Sequence, residues 1–187
     1  MTPRISPTAP TMKQRRSGAG TWWRQDIIGR ANMTSLDYYQ YAYVTTDWRQ
    51  AMDELAAQHD IGGWMEMPDA EFDTGPGRTA VCHFALANKN GLQFEIIQPL
   101  SGDCAVYREG LPSSGYAKRF HHLGRHFSAR SDFDRQHAAA AGRYSLPVAA
   151  QTMGGEYAYF DARAETGHFL EYFIFPADSH LSQVPSW

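Results

Sequence analysis

Three of the chain's eight histidines fall within seven positions, in the stretch FHHLGRH over residues 120–126. An imidazole can ligate a metal, move a proton or fill space, and spacing alone does not choose among these. The choice depends on which other polar groups lie in apolar surroundings. Two glutamates do: Glu95 within LQFEIIQPL and Glu171 within GHFLEYFIF, each flanked by bulky apolar residues in stretches that read as strand. A carboxylate that is buried, ionised and unpaired is costly. Either one alone could pair with an arginine. For both together, a single divalent cation neutralising the two is the economical compensation.

The elements that must position these groups come in a repeated order. YYQYAYVTT (38–46) has the β-branched and aromatic composition of a strand, and Asp47 can cap a helix over WRQAMDELAAQH. GWMEMP gives a short extended piece and FDTGPGR a turn. TAVCHFALAN (79–88) and LQFEIIQPL (92–100) then read as strands joined by a hairpin at KNG. The order recurs with HHLGRHFSA (121–129) as strand and SDFDRQHAAAAGR as helix, capped by Ser131 or Asp132 and stopped near Gly142. SLPVAAQTM, GGEYAYFDA and TGHFLEYFIFP (166–176) follow as extended segments. The sequence thus predicts two βαβββ modules, over 34–104 and 120–187. Between them, 105–119 is a linker with a short helical turn, able to carry Tyr107, Tyr116 and Phe120 over a pocket as a lid. Residues 1–33 are rich in Pro, Ser, Thr, Gly and positive charge and read as a disordered leader, with TWWRQDIIGRAN a short helix at most.

Corresponding positions in the two modules carry corresponding donors. Gln40 and His122 lie near the start of each first strand, and Glu95 and Glu171 lie inside each last one. Alternation places Glu95 on one face with Gln93 and Ile97, and Glu171 with Phe169 and Phe173. Gln40 shares its face with Ala42 and Val44, and His122 with Gly124 and His126, whereas His121 points to the other side. His83 and His168 read as a satisfied core histidine and a turn residue.

At this point the chain resembles the vicinal oxygen chelate superfamily, nearest in its motifs to glyoxalase I and methylmalonyl-CoA epimerase. FEIIQPL is similar to the superfamily's (E/Q)L(I/L)(E/Q)PL strand, and FHHLGRHF to the HH(I/L)(A/G) entry of the second module. YFDARAETGHFLEYF is similar to its terminal strand, and YYQYAYVTTDWRQAM to its opening strand. The resemblance covers about residues 37–176. It implies an α+β fold whose two tandem βαβββ modules form a curved, barrel-like mixed sheet around a metal site, with Gln40, Glu95, His122 and Glu171 as ligands. The implied cofactor is a divalent zinc, nickel or cobalt ion rather than iron. The implied function is that of a metal-dependent lyase or isomerase, moving a proton next to a carbonyl through a metal-stabilised enediolate. Glu171, or else Glu95, would be the base. LGRHFSAR departs from the usual hydrophobic run, so His126 either enters the pocket as an acid, base or oxyanion donor, or is a strand-end histidine bonded to backbone. No stretch reads as a clamp for glutathione or CoA.

Two other classes compete with this one. An iron(II) extradiol-type dioxygenase would use two histidines and one carboxylate. A non-catalytic small-molecule binding member would tend to lack the ligands. The partner in each case is a small molecule. A formal charge of −3 provides no general field for nucleic acid or anionic lipid, and no apolar run approaches the roughly 20 residues that span a bilayer. Two cysteines, Cys82 and Cys104, are spaced too widely for a CxxC motif, and their sparseness fits a reducing compartment such as the cytoplasm. Paired modules can close a metal-holding sheet within one chain or between two, so a homodimer is compatible with the sequence.

Overall fold

The computed structural model describes residues 38–152 and 154–187, so the leader, including TWWRQDIIGRAN, lies outside the described residues. The first module runs β1 (Gln40–Thr45), α1 (Trp48–His59), β2 (Met65–Gly75), β3 (Arg78–Lys89) and β4 (Leu92–Gly102). A single helical turn, α2 (Ala105–Arg108), follows. The second module runs β5 (Lys118–His126), α3 (Arg130–Ala141), β6 (Val148–Thr152), β7 (Gly155–Phe160), α4 (Arg163–Thr166) and β8 (Phe169–Ile174). β5 begins inside the stretch read as linker.

All eight strands form one sheet in the order β2-β3-β4-β1-β5-β8-β7-β6. Read outward from the middle, both halves run first strand, last strand, then the hairpin. β1 pairs β4 in parallel, β5 pairs β8 in parallel, and β1 meets β5 antiparallel at the centre. The sheet curls until β2 and β6 lie close, and the Tyr157 hydroxyl donates to the Asp73 carbonyl at 2.6 Å across that seam. The result is the curved, nearly closed mixed sheet with few helices that the motifs imply.

Side-chain alternation fixes what each face buries. On β4, Ile96 faces outward under α1 against Trp48, Ala51 and Leu55, and Phe94 packs on the same side with Ile61, Ala87 and the His59 ring, while Gln93, Glu95 and Ile97 face in. On β8, Tyr172 faces α3 and Phe133, while Phe169, Glu171 and Phe173 face in. Each last strand is therefore buried on both sides, which is why its sequence is apolar nearly throughout. Asp47 caps α1 as expected, its carboxylate accepting the Gln50 N–H at 3.1 Å. The KNG hairpin is a primed turn, with Asn90 and Gly91 both at positive φ.

One local expectation fails and another falls short in length. α3 starts at Arg130 behind Ala129, with no side-chain cap from Ser131 or Asp132. Its first turn is held instead by Arg130, which bridges Asp134 and Glu156. The short extended piece expected at GWMEMP is the start of an 11-residue edge strand. It accommodates Pro68 through a register shift beside Asp69, which takes a positive φ. Among the described residues, no helix is long and apolar enough to cross a membrane.

Candidate metal centre

The pseudo-symmetry of the sheet can be read residue by residue. Ala42 on β1 is registered with Glu95 on β4, and Gly124 on β5 with Glu171 on β8. Gln40 is registered with Gln93, and His122 with Phe169. Gln40 and His122 are thus structural equivalents, as are Glu95 and Glu171. All four side chains are buried and converge inside the barrel.

His122 Nε2 is the focus of this group. It lies 3.1 Å from Glu171 Oε2, 3.3 Å from Glu95 Oε2 and 3.3 Å from Gln40 Oε1. Ligating atoms of Glu95, His122 and Glu171 all fall within 4.8 Å of one another. His126 does not join them. It sits exposed at the far end of β5 with its ring 5.5 Å from that of Phe173. His83 faces α1, stacking on Trp48 and accepting the Asp69 N–H, and His168 bonds the Phe169 carbonyl at its strand start.

His121 departs from simple parity, and the cause is local. The register between β1 and β5 passes from Ala42–His122 to Tyr43–Phe120, so His121 is the extra residue of a β-bulge. A bulge re-aims the side chain it inserts. His121 is consequently buried against His122, with the two Nδ1 atoms 2.8 Å apart. Its Nε2 lies 3.1 Å from the Val106 carbonyl, which can only accept, so that nitrogen carries the proton. Burial, with the neighbouring His122 charge, holds the His121 pKa well below the ordinary imidazole range, so the ring is neutral and its Nδ1 accepts. His122 must then donate from Nδ1. Its neutral form presents the Nε2 lone pair to the three oxygens.

A second relay orients Gln40. Its Nε2 donates to Gln93 Oε1 at 3.0 Å, and Gln93 Nε2 donates to Asn88 Oδ1 at 3.2 Å. Asn88 Nδ2 donates in turn to the Val184 carbonyl at 3.3 Å. With its amide nitrogen committed, Gln40 turns its oxygen to the centre. Gly124 makes room for it, because a Cβ there would stand 2.1 Å from Gln40 Oε1.

The electrostatics of the four donors are unfinished without a cation. Burial disfavours the His122 imidazolium, but Glu171 and Glu95 outweigh this and hold its pKa up at about 9. Burial pushes the Glu95 carboxyl up, contact with His122 pulls it back, and the Glu171 charge adds to the rise. Two acidic side chains face one imidazole here, and Glu95 Oε2 is buried without a hydrogen-bond partner. Donors held about 2.1 Å from one divalent ion lie roughly 3 to 3.4 Å apart, the spacing found around His122 Nε2. The neutral His122 tautomer, the two carboxylates and the outward-polarised amide all fit a divalent metal.

An inner cavity of about 80 Å³ opens onto this centre. Gln40, Glu95 and Glu171 line it together with Phe84, Tyr107 and Tyr159. Tyr107, read from sequence as part of a lid, is instead a buried wall on α2 beneath His121. Tyr116, the other tyrosine of that reading, is exposed and donates to Glu54 outside the barrel, and Phe120 is exposed. The residues shaping this centre that the sequence did not single out are His121, Gln93, Asn88 and Gly124. Only the adjacency of His121 to His122 hinted at any of them.

No protein-family model matches the chain, and no curated protein matches it. Solved structures do. A methylmalonyl-CoA epimerase in complex with methylmalonyl-CoA and NH4+ is 10% identical, covering 76% of this chain and 96% of that one at a TM-score of 0.50. A variant of the Streptomyces coelicolor methylmalonyl-CoA epimerase, in complex with 2-nitronate-propionyl-CoA, is 11% identical over 76% of this chain and 96% of its own, at 0.51. The Mycobacterium tuberculosis methylmalonyl-CoA epimerase is 14% identical over 81% and 95%, at 0.50. The chain thus shares its fold with these epimerases, the curved mixed sheet that the motifs indicated.

Proposed function

We propose that the protein is a metal-dependent lyase or isomerase that moves a proton next to a carbonyl. Gln40, Glu95, His122 and Glu171 hold a zinc, nickel or cobalt ion, two donors from each module. The observation that carries this reading is the convergence of both buried glutamates on His122 Nε2, with Glu95 Oε2 left without a hydrogen bond. Two carboxylates and one histidine do not favour the two-histidine, one-carboxylate iron set of an extradiol dioxygenase.

Held by these four residues, a divalent ion would supply Lewis acidity that makes the C–H beside a bound carbonyl more acidic. The chain supplies the rest. Glu171, at the cavity wall, takes the proton from carbon. Glu95 enters from β4, across the pseudo-twofold, placed to return a proton to the other face of that carbon or to the neighbouring oxygen. Phe84, Tyr107 and Tyr159 keep bulk water from the centre, and burial keeps both tyrosine hydroxyls protonated. His121 and Gln93 fix the two donors to which they bond. His126, exposed at the end of β5, is given no step.

The test is a panel of 2-oxo aldehyde adducts, acyl thioesters and 2-hydroxy ketones incubated with the zinc-loaded protein in heavy water. Deuterium should appear at the carbon beside the carbonyl, and Glu171→Gln should abolish it. Full exchange by Glu171→Gln and Glu95→Gln, with metal content unchanged, overturns the assignment.

A further inference from the structure

The 80 Å³ inner cavity lies below the usual 300–1,000 Å³ of a ligand site, so it can take only the reacting end of a substrate. An open cleft of about 910 Å³ shares Phe72, Thr152 and Phe175 with its walls and is the neighbouring space into which the remainder can extend. The inner walls are otherwise mostly aromatic and aliphatic, among them Met67, Leu86, Phe173 and Leu181, and among the described residues no lysine, arginine or histidine lines them.

Charge in the outer cleft has one dominant sign. Among the described residues, Glu71, Asp73 and Glu156 line it against one guanidinium, that of Arg130. That guanidinium is already engaged, bonding Glu156 at 2.7 Å and Asp134 at 2.9 Å. Arg78, Arg119 and Arg163 line other clefts, which among the described residues share no wall residue with the inner cavity. Deeper in, Glu95 offers a buried oxygen without a hydrogen-bond partner to whatever enters.

We infer that the substrate is a small, unphosphorylated compound, uncharged or cationic, with an aromatic or bulky apolar body and two adjacent oxygens at its reacting end. The acidic cleft selects against polyanions such as acyl-CoA thioesters, because like charge at the entrance lowers both encounter rate and affinity. The two-oxygen requirement rests on the metal reading, whereas the exclusion of polyanions rests on the cleft alone.

The experiment compares two probes on the zinc-loaded full chain by calorimetry: benzohydroxamic acid, an uncharged aromatic with adjacent oxygens, and propionyl-CoA. Benzohydroxamic acid is expected to bind, and propionyl-CoA to bind roughly tenfold more weakly or worse. Added salt should strengthen propionyl-CoA binding by screening the repulsion, without altering that of benzohydroxamic acid. Glu71→Gln combined with Asp73→Asn should strengthen it in the same way. Propionyl-CoA binding as tightly as benzohydroxamic acid, propionyl-CoA binding that weakens with salt, or benzohydroxamic acid failing to bind would each overturn the inference. Zinc uptake is measured separately with a fluorescent chelator. A chain that takes up none defeats the metal reading, and the salt response of propionyl-CoA still decides the question of charge.

Discussion

The two halves of the barrel place their donors at equivalent register positions but support them by different means. In the first half, Gln40 is turned by a chain of amides that runs through Gln93 and Asn88 to the Val184 carbonyl near the C-terminus. In the second, His122 is turned by a bulged histidine backed by the Val106 carbonyl in the α2 turn. The halves also differ where each first strand passes its glutamate. The first half has Ala42 there, and the second has Gly124, because Gln40 reaches across the central pair and fills the space a Cβ would take. The duplicated backbone thus fixes where donors can stand. The unduplicated neighbours decide which atom each donor presents.

The largest expected effect is in the second half. His122→Ala removes the imidazole that lies within 3.3 Å of both glutamates, and should cost more in zinc affinity than the roughly 100-fold typical of losing an outer partner. The metal-free protein should also lose about 3 kcal/mol in urea unfolding, since two buried carboxylates are left without their cation. Unchanged zinc affinity would show that His122 is no ligand.

Next come the equivalent glutamates, which sharpen the comparison. Glu95→Gln and Glu171→Gln should each abolish tight zinc binding. Glu95→Gln should leave the metal-free protein as stable as before or more so, because burial and Glu171 both disfavour its charge. A clear loss of metal-free stability on Glu95→Gln, read from thermal unfolding, would contradict that electrostatic account.

The supports should matter less than the donors. His121→Phe keeps the ring volume but removes the Nδ1 acceptor, and zinc affinity should fall roughly 10- to 100-fold. Gly124→Ala should lower it through Gln40 and cost about 1–3 kcal/mol by overpacking, whereas the equivalent Ala42→Gly should cost only about 1 kcal/mol and leave zinc binding intact. Equal effects at the two positions would remove the asymmetry argued above.

The smallest effect is a proton count. The metal-free His122 holds a proton up to about pH 9, so zinc uptake at neutral pH must expel it. The imidazolium is the form that loses out as pH rises, so its contribution to proton release should disappear above about pH 9. Calorimetry in buffers of different ionisation enthalpy measures this, and uptake without proton release at pH 7 would contradict it.

Much of this site was legible in the sequence because strand parity is a local property. The apolar flanks of Glu95 and Glu171 fix their burial, alternation fixes which neighbours share their face, and the repeat of elements fixes their equivalence. What was not legible depends on the partner strand. Nothing in FHHLGRH says that Phe120, rather than His121, pairs with Tyr43, yet that register shift brings two imidazoles together. Gly124 looks like any strand glycine until Gln40 arrives from another strand. Tyr107 read as a lid because loop aromatics give no sign of which side of the sheet they cover. The α3 cap failed for a similar reason, since Glu156 from β7 anchors Arg130 where a local cap was expected.

The most direct test is an anomalous-difference map from a crystal of the zinc-loaded protein. The account predicts one peak inside the barrel, about 2 Å from His122 Nε2 and from a carboxylate oxygen of both Glu95 and Glu171. A peak bonded to donors of one module only, or no peak in the barrel at all, would contradict it.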